Sequence, residues 1–281
     1  MVRLALFLAA SLTIAFTATV LVLLTSLQRK LIYFPDPTSV PLPAEDVRAG
    51  FQAVVIATVD GPKLQAWYRP APVGTWTVLF LHGNAGNRST RLDLLRRLVE
   101  MDLGVLALDY RGYGGSEGSP TEEGLYADAE AAAHWLSQRG VADIVYFGES
   151  LGTGVAVELA RRLPPGRLVL QAPFDSLVAV GRRAYPFLPV SWLLRDRFAS
   201  YEKIAQVHVP LLVLHGTEDR IVPIEHGRRL YARAPEPKRF VAIEGFGHND
   251  LRTAGDAFYR PLSTFLLNDS RLRVSPSEES R

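Results

Sequence analysis

Gly148-Glu149-Ser150-Leu151-Gly152 follows the apolar run Ile144-Val145-Tyr146-Phe147 and precedes the helix-compatible stretch 155–163. A serine thus stands at a strand-to-helix turn with a glycine two residues to either side, the pattern of a nucleophile elbow. The turn must be sharp to lift a hydroxyl clear of a sheet, and a Cβ at either glycine position would meet the adjoining strand or helix. In a chain with 22 glycines the pentapeptide alone is weak. The strand before it, the helix after it and suitable partners downstream carry the reading.

A serine hydroxyl needs a base, and the base needs a group to orient it. The apolar run 210–214 ends in His215-Gly216-Thr217-Glu218-Asp219-Arg220, which puts Asp219 on the loop after a buried strand, as the orienting carboxylate. A β-prone run, 239–243, leads into Gly245-Phe246-Gly247-His248-Asn249-Asp250, a loop able to swing an imidazole over the sheet edge; His248 is the candidate base. Asp175 and Asp196 are rival acids, but neither directly follows a strand in the slot this chain order calls for. His82 and His215 close strands in His-Gly pairs, where an imidazole more often ties down a loop. His134 and His226 fall in helical stretches, and His208 precedes a strand.

A tetrahedral intermediate requires two aimed N–H donors. The amide of Leu151 opens a helix, where unpaired amides and the dipole favour negative charge. The second donor is expected from His82-Gly83-Asn84-Ala85-Gly86-Asn87, after the strand at 77–81, with Asn84 the first choice and Ala85 next to it.

Around these residues, strand-like and helix-like runs alternate: a hairpin at 51–58 and 64–69, then strands at 77–81, 104–109, 143–148, 167–171, 210–215 and 238–243, with helices at 89–102, 121–138, 151–163, 223–233 and 250–267. The alternation predicts an α/β fold with a mostly parallel, doubly covered sheet and right-handed crossovers.

The ordered set Leu31-Ile32-Tyr33-Phe34-Pro35, the 82–87 loop, Asp109-Tyr110-Arg111-Gly112-Tyr113-Gly114, the Ser150 elbow, Leu194-Arg195-Asp196-Arg197-Phe198, the Asp219 loop and Gly247-His248-Asn249-Asp250 resembles the α/β-hydrolase superfamily. Within it, the chain is similar to a membrane-anchored group that includes eukaryotic α/β-hydrolase-domain depalmitoylases and bacterial relatives. The resemblance spans residues 31–268. It implies a serine hydrolase acting on an ester or thioester of an acyl or lipid substrate, with Ser150, His248 and Asp219 as its triad; the sequence holds no HExxH and no Cys/His cluster, so no metal or cofactor is expected. A serine-aminopeptidase-like peptidase and a non-catalytic scaffold are the alternative readings, because one such scaffold hosts many chemistries.

A net charge of +2 and the lack of a basic stripe interleaved with aromatics exclude a nucleic-acid partner. Without cysteine there is no disulfide and no thiol catalysis. Residues 4–27 form an uncharged run of 24 residues, about 36 Å of helix, enough to span a bilayer and too long for a signal-peptide core. The chain therefore divides into a single-pass anchor (1–28), a proline-punctuated linker (29–50), a catalytic domain (51–269) with a cap insertion (172–209), and a polar, disordered tail (270–281). Arg29 and Lys30 after the span, against Arg3 before it, place the catalytic domain on the cytoplasmic side. In the cap, Tyr185-Pro186-Phe187-Leu188-Pro189-Val190-Ser191-Trp192 is strongly apolar and is flanked by Arg182, Arg183, Arg195 and Arg197; such a segment lines an acyl pocket, with Phe187 and Trp192 as its expected walls, dips into the lipid interface, or packs the cap onto the catalytic domain.

Overall fold

The computed structural model describes residues 28–267 and, before them, residues 3, 7, 11–13, 19–20 and 22. The expected anchor over 4–27, for its greater part, and the tail from 270 lie outside the described residues. Among the described residues no helix is long and apolar enough to cross a membrane.

Eight strands form one sheet: β1 (Gln52–Ala57), β2 (Lys63–Arg69), β3 (Thr77–Leu81), β4 (Gly104–Leu108), β5 (Ile144–Glu149), β6 (Arg167–Gln171), β7 (Leu211–Gly216) and β8 (Lys238–Ile243). Their spatial order is β8-β7-β6-β5-β3-β4-β2-β1, antiparallel only where β2 meets β1 and β4. β3, β5, β6 and β7 are apolar runs because both faces of a parallel sheet are covered. Along β3 the side chains alternate. Leu79 and Leu81 join the cluster formed with α2 (Glu122–Ser137) and α3 (Leu151–Arg162), while Val78 and Phe80 join that of α1 (Leu92–Glu100) and α7 (Asp256–Leu267). α4 (Leu177–Ala184) and α5 (Val190–Leu193) belong to the 172–209 insertion, and α6 (Ile224–Arg233) connects β7 to β8.

Two expected helices are shorter than their apolar pattern. The stretch 89–102 opens as a 3₁₀ turn, Arg88–Arg91, because the Asn87 side chain accepts the Ser89 amide and starts a tighter turn. The stretch 250–267 breaks at Gly255, whose φ of 56° ends the 3₁₀ turn Leu251–Ala254 before α7 begins.

Residues 29–50, read as a semi-rigid linker, pack on the domain. The Phe34 amide donates to Asn84 O at 3.1 Å and the Asp36 amide to Gly86 O at 3.2 Å, adding a two-residue parallel strand to the 84–86 loop. Tyr33 is buried, its hydroxyl donating to Asp196 at 3.0 Å. Parallel pairing sets Leu81 beside both Leu108 and Gly148, so the loops after β3, β5, β6, β7 and β8 gather at one sheet edge, where open α/β sheets place their sites.

Candidate active site

β5 ends at Glu149 and α3 begins at Leu151, so Ser150 alone makes the turn. Its φ of 51° and ψ of −114° lie where a side chain is strained. The turn is held by the Ser150 amide donating to Gln171 O at 2.9 Å and by Thr153, whose amide and hydroxyl both donate to Ser150 O, at 2.9 and 2.6 Å. The flanking glycines are sterically required: a Cβ on Gly152 would stand 2.0 Å from Leu81 O, and one on Gly148 2.5 Å from Gly152 O.

His248 Nε2 lies 2.8 Å from Ser150 Oγ, and His248 Nδ1 lies 2.6 Å from Asp219 Oδ2. The three residues come from loops 98 and 29 positions apart in the chain. Asp219 is buried, which pushes its carboxyl up, but hydrogen bonds from His215 and His248, the charge of His248 and the Val222 amide outweigh burial and hold it well below the usual carboxylate range. A carboxylate only accepts, so Nδ1 of His248 carries the proton toward Asp219 and Nε2 is left to accept from Ser150. Asp219 Oδ1 accepts from the amides of Ile221 at 3.0 Å and Val222 at 2.7 Å, which fixes the carboxylate plane.

The other candidates are committed elsewhere. Asp175 accepts from His226 Nδ1 at 2.7 Å and from Arg229 Nε at 2.8 Å; Asp196 binds Tyr33 and Arg29. His82 is buried against Tyr110 and Tyr113, its Nδ1 2.7 Å from Gly83 O. His215 is buried with Nε2 2.8 Å from Val222 O. His134 and His208 are exposed.

Leu151, Gly83, Asn84 and Ala85 line the same cavity as Ser150 and His248. As the first residue of α3, Leu151 has no carbonyl one turn before it to receive its amide. Asn84 spends its side chain on the scaffold, donating Nδ2 to Ile32 O at 2.8 Å, and its carbonyl accepts from Tyr113 Oη at 2.9 Å. Sequence reasoning missed the residue that joins this loop to the elbow. Arg91 donates to Ala85 O at 2.6 Å and to both carboxylate oxygens of Glu149, at 3.0 and 3.3 Å. Burial raises the Glu149 carboxyl, but the charges of Arg91 and Arg252 prevail and lower it. The available signal was an acid at the end of a buried strand, which demands a cation.

The cavity holds about 580 Å³ and is mostly apolar beyond the catalytic-type groups. Phe187 and Trp192 do not form its wall. They are 98% and 90% exposed, because the 185–194 segment, α5 included, turns Leu188, Leu193 and Leu194 toward the cavity instead. The wall is instead Leu177, Val180, Gly181 and Ala184 of α4, with Leu188, Leu193 and Leu194 beyond it and Leu31 and Ile32 opposite. The α4 residues recur at i, i+3, i+4 and i+7, one helical face, a period carried by the sequence itself.

A family model described as "Serine aminopeptidase, S33" matches residues 74–200 and 194–252. An uncharacterized protein of Mycobacterium tuberculosis is 50% identical over 236 residues, 82% of this chain and 84% of its own length. Human alpha/beta hydrolase domain-containing protein 17B is 35% identical over 198 residues, 68% of this chain and 67% of its own. The lysophosphatidylserine lipase ABHD12 of Danio rerio is 38% identical over 182 residues, 57% of this chain and 48% of its own.

Proposed function

We propose that this chain, which belongs to the α/β-hydrolase superfamily, is a membrane-tethered serine hydrolase that cleaves carboxylic esters or thioesters of acyl or lipid substrates. The observation that carries the reading is the continuous hydrogen-bonded line Asp219–His248–Ser150 opening into an apolar cavity. Ser150 Oγ attacks the acyl carbonyl as its proton passes to His248 Nε2, and Asp219 stabilises the resulting imidazolium. The amides of Leu151 and Asn84 receive the oxyanion. His248 then gives its proton to the departing alcohol or thiol, leaving the acyl group on Ser150. Water, deprotonated by the same imidazole, attacks that ester and frees the acid.

The apolar cavity supports an acyl chain as the group held there, and the lipase name of one relative points the same way. The uncharged 24-residue run at 4–27 supports a tether, with the positive-inside rule setting the catalytic domain on the cytoplasmic side. The family description favours an aminopeptidase as the second reading. Such an enzyme needs a free carboxylate for the substrate ammonium, and the acid lining the cavity, Glu149, is engaged by Arg91.

Labelling with a fluorophosphonate, followed by peptide mass spectrometry, tests the assignment. The adduct is expected on Ser150 and is lost in Ser150→Ala, together with hydrolysis of short esters. Hydrolysis at the wild-type rate by folded Ser150→Ala refutes it. Cleavage of aminoacyl amides in preference to esters and thioesters selects the peptidase reading.

A further inference from the structure

Phe187 and Trp192 are the most exposed aromatic side chains among the described residues. Singly exposed apolar groups are common, but a contiguous exposed apolar patch marks an interaction or membrane-contact site. Leu31, Tyr185, Leu188 and Ile221 are each more than 40% exposed and line the cavity, so the mouth above Ser150 has an apolar rim, and Tyr185 and Leu188 share the 185–194 segment with the two aromatics. Exposed basic residues adjoin the lining residues in the chain: Lys30 before Leu31, Arg182 and Arg183 between Gly181 and Ala184, and Arg195 after Leu194.

This rim is fastened to the end of the uncharged N-terminal run. Gln28, the residue after Leu27, accepts from the Arg195 amide at 2.7 Å and donates to Leu193 O at 3.3 Å. Arg29 pairs with Asp196 at 3.1 Å. A chain whose residues 4–27 cross a bilayer delivers Gln28 to its surface, and these bonds hold the 185–195 segment there with it.

We infer that the face formed by Phe187, Trp192 and the cavity rim docks into the surface layer of the bilayer that holds the tether, opening the cavity directly toward the acyl chains. Aromatic tips flanked by cations are the composition of an interfacial lipid contact, the rings at the headgroup level and the arginines on anionic lipid. An acyl substrate then moves from lipid to cavity without exposing its chain to water. The inference rests on the tethered reading proposed above, and its test separates the two.

The full chain is reconstituted in phosphatidylcholine vesicles, with and without anionic lipid, carrying bromine at a shallow acyl position. Of the four tryptophans, Trp67 and Trp76 are buried and Trp135 is stacked by Tyr68 and Arg139, so Trp192 is the one lipid can reach. Bromine quenching is expected in the wild type, stronger with anionic lipid, and lost in Trp192→Phe. Phe187→Ser combined with Trp192→Ser is expected to lower turnover of a vesicle-borne ester roughly tenfold, the loss of a fraction of two aromatic burials, with soluble short-ester hydrolysis unchanged. A chain that resists carbonate extraction while Trp192 stays unquenched overturns the docked face and keeps the tether. A chain stripped by carbonate yet quenched at neutral pH overturns the tether and keeps the docked face. Equal quenching in wild type and Trp192→Phe also overturns the docked face.

Discussion

Asp219→Asn isolates the orientation of His248 from its mere presence. In the native site Oδ1 takes two amide donors, from Ile221 and Val222, while Oδ2 faces His248 Nδ1 at 2.6 Å and His215 Nε2 at 3.4 Å. An asparagine has one acceptor to offer, and two loop amides claim it; turning the amide over would set its N–H groups against theirs and lose both bonds, about 1 kcal/mol each. The Nδ2 group therefore faces His248 and donates to Nδ1. That moves the imidazole proton to Nε2, 2.8 Å from Ser150 Oγ, where an acceptor is needed. The fold survives because the loop amides keep their partner, but the base is in the wrong tautomer. The same change in a serine protease costs on the order of 10⁴ in kcat, and a loss of that size equals about 5 kcal/mol of transition-state stabilisation. Steady-state hydrolysis of a soluble short-chain ester reads it as a fall in kcat with KM little changed, and circular dichroism verifies the fold. Folded Asp219→Asn within tenfold of the wild-type kcat refutes the assignment of Asp219, and crippling by Asp175→Asn or Asp196→Asn instead would move the acid.

Three further outcomes follow from the same geometry. Gly152→Ala sets a methyl 2.0 Å from Leu81 O and 2.7 Å from His82 O, both backbone atoms that cannot swing aside, so it is expected to destabilise by about 3 kcal/mol or more in denaturant titration; an unchanged midpoint contradicts the packing. Burial raises the Glu158 carboxyl, but Arg161, Lys203 and Arg162 bring it from the ordinary 4.5 down to about 2, so its contribution to stability, up to roughly 3 kcal/mol, is full above the unfolded value and is lost as pH falls from 4.5 through 2. Glu158→Gln should flatten that part of the stability profile, and an unaltered profile means the pairs contribute nothing. Val180→Trp fills the α4 wall of the cavity and should lower kcat/KM for long-chain esters relative to short ones, by about 1–3 kcal/mol of discrimination; equal loss for both lengths would mean Val180 does not meet the chain.

The sheet was legible because burial on both faces leaves short apolar runs that alternate with longer helical patterns. Val78-Leu79-Phe80-Leu81 and Leu211-Leu212-Val213-Leu214 are uninterrupted apolar runs, too short for a buried helix and each followed by a His-Gly pair, which together mark a covered parallel strand. The elbow was legible for a different reason: glycine at 148 and 152 is a steric demand of backbone on backbone, and so is written in the sequence. What escaped depends on contacts between distant positions. Arg29 and Tyr33 meet Asp196 across 167 and 163 residues, and no local pattern announces that a proline-rich stretch folds against the 172–209 insertion. The break at Gly255 is hidden likewise, since an apolar helical period runs through it and only a positive φ interrupts it.

The misreading of Phe187 and Trp192 follows from what composition measures. An apolar segment interrupted by Pro186 and Pro189 has no helical or strand period, so its hydrophobicity shows that some side chains avoid water without showing which side faces the cavity. Size then misleads, because the largest residues look most suited to a pocket. In the folded chain the inner side of the segment belongs to Leu188, Leu193 and Leu194, leaving Phe187 and Trp192 outside. Both facings are apolar, and a segment packing on its own domain alone would need only one. The outer facing, fastened through Gln28 to the end of the 4–27 run, is the one that the inferred bilayer contact would cover.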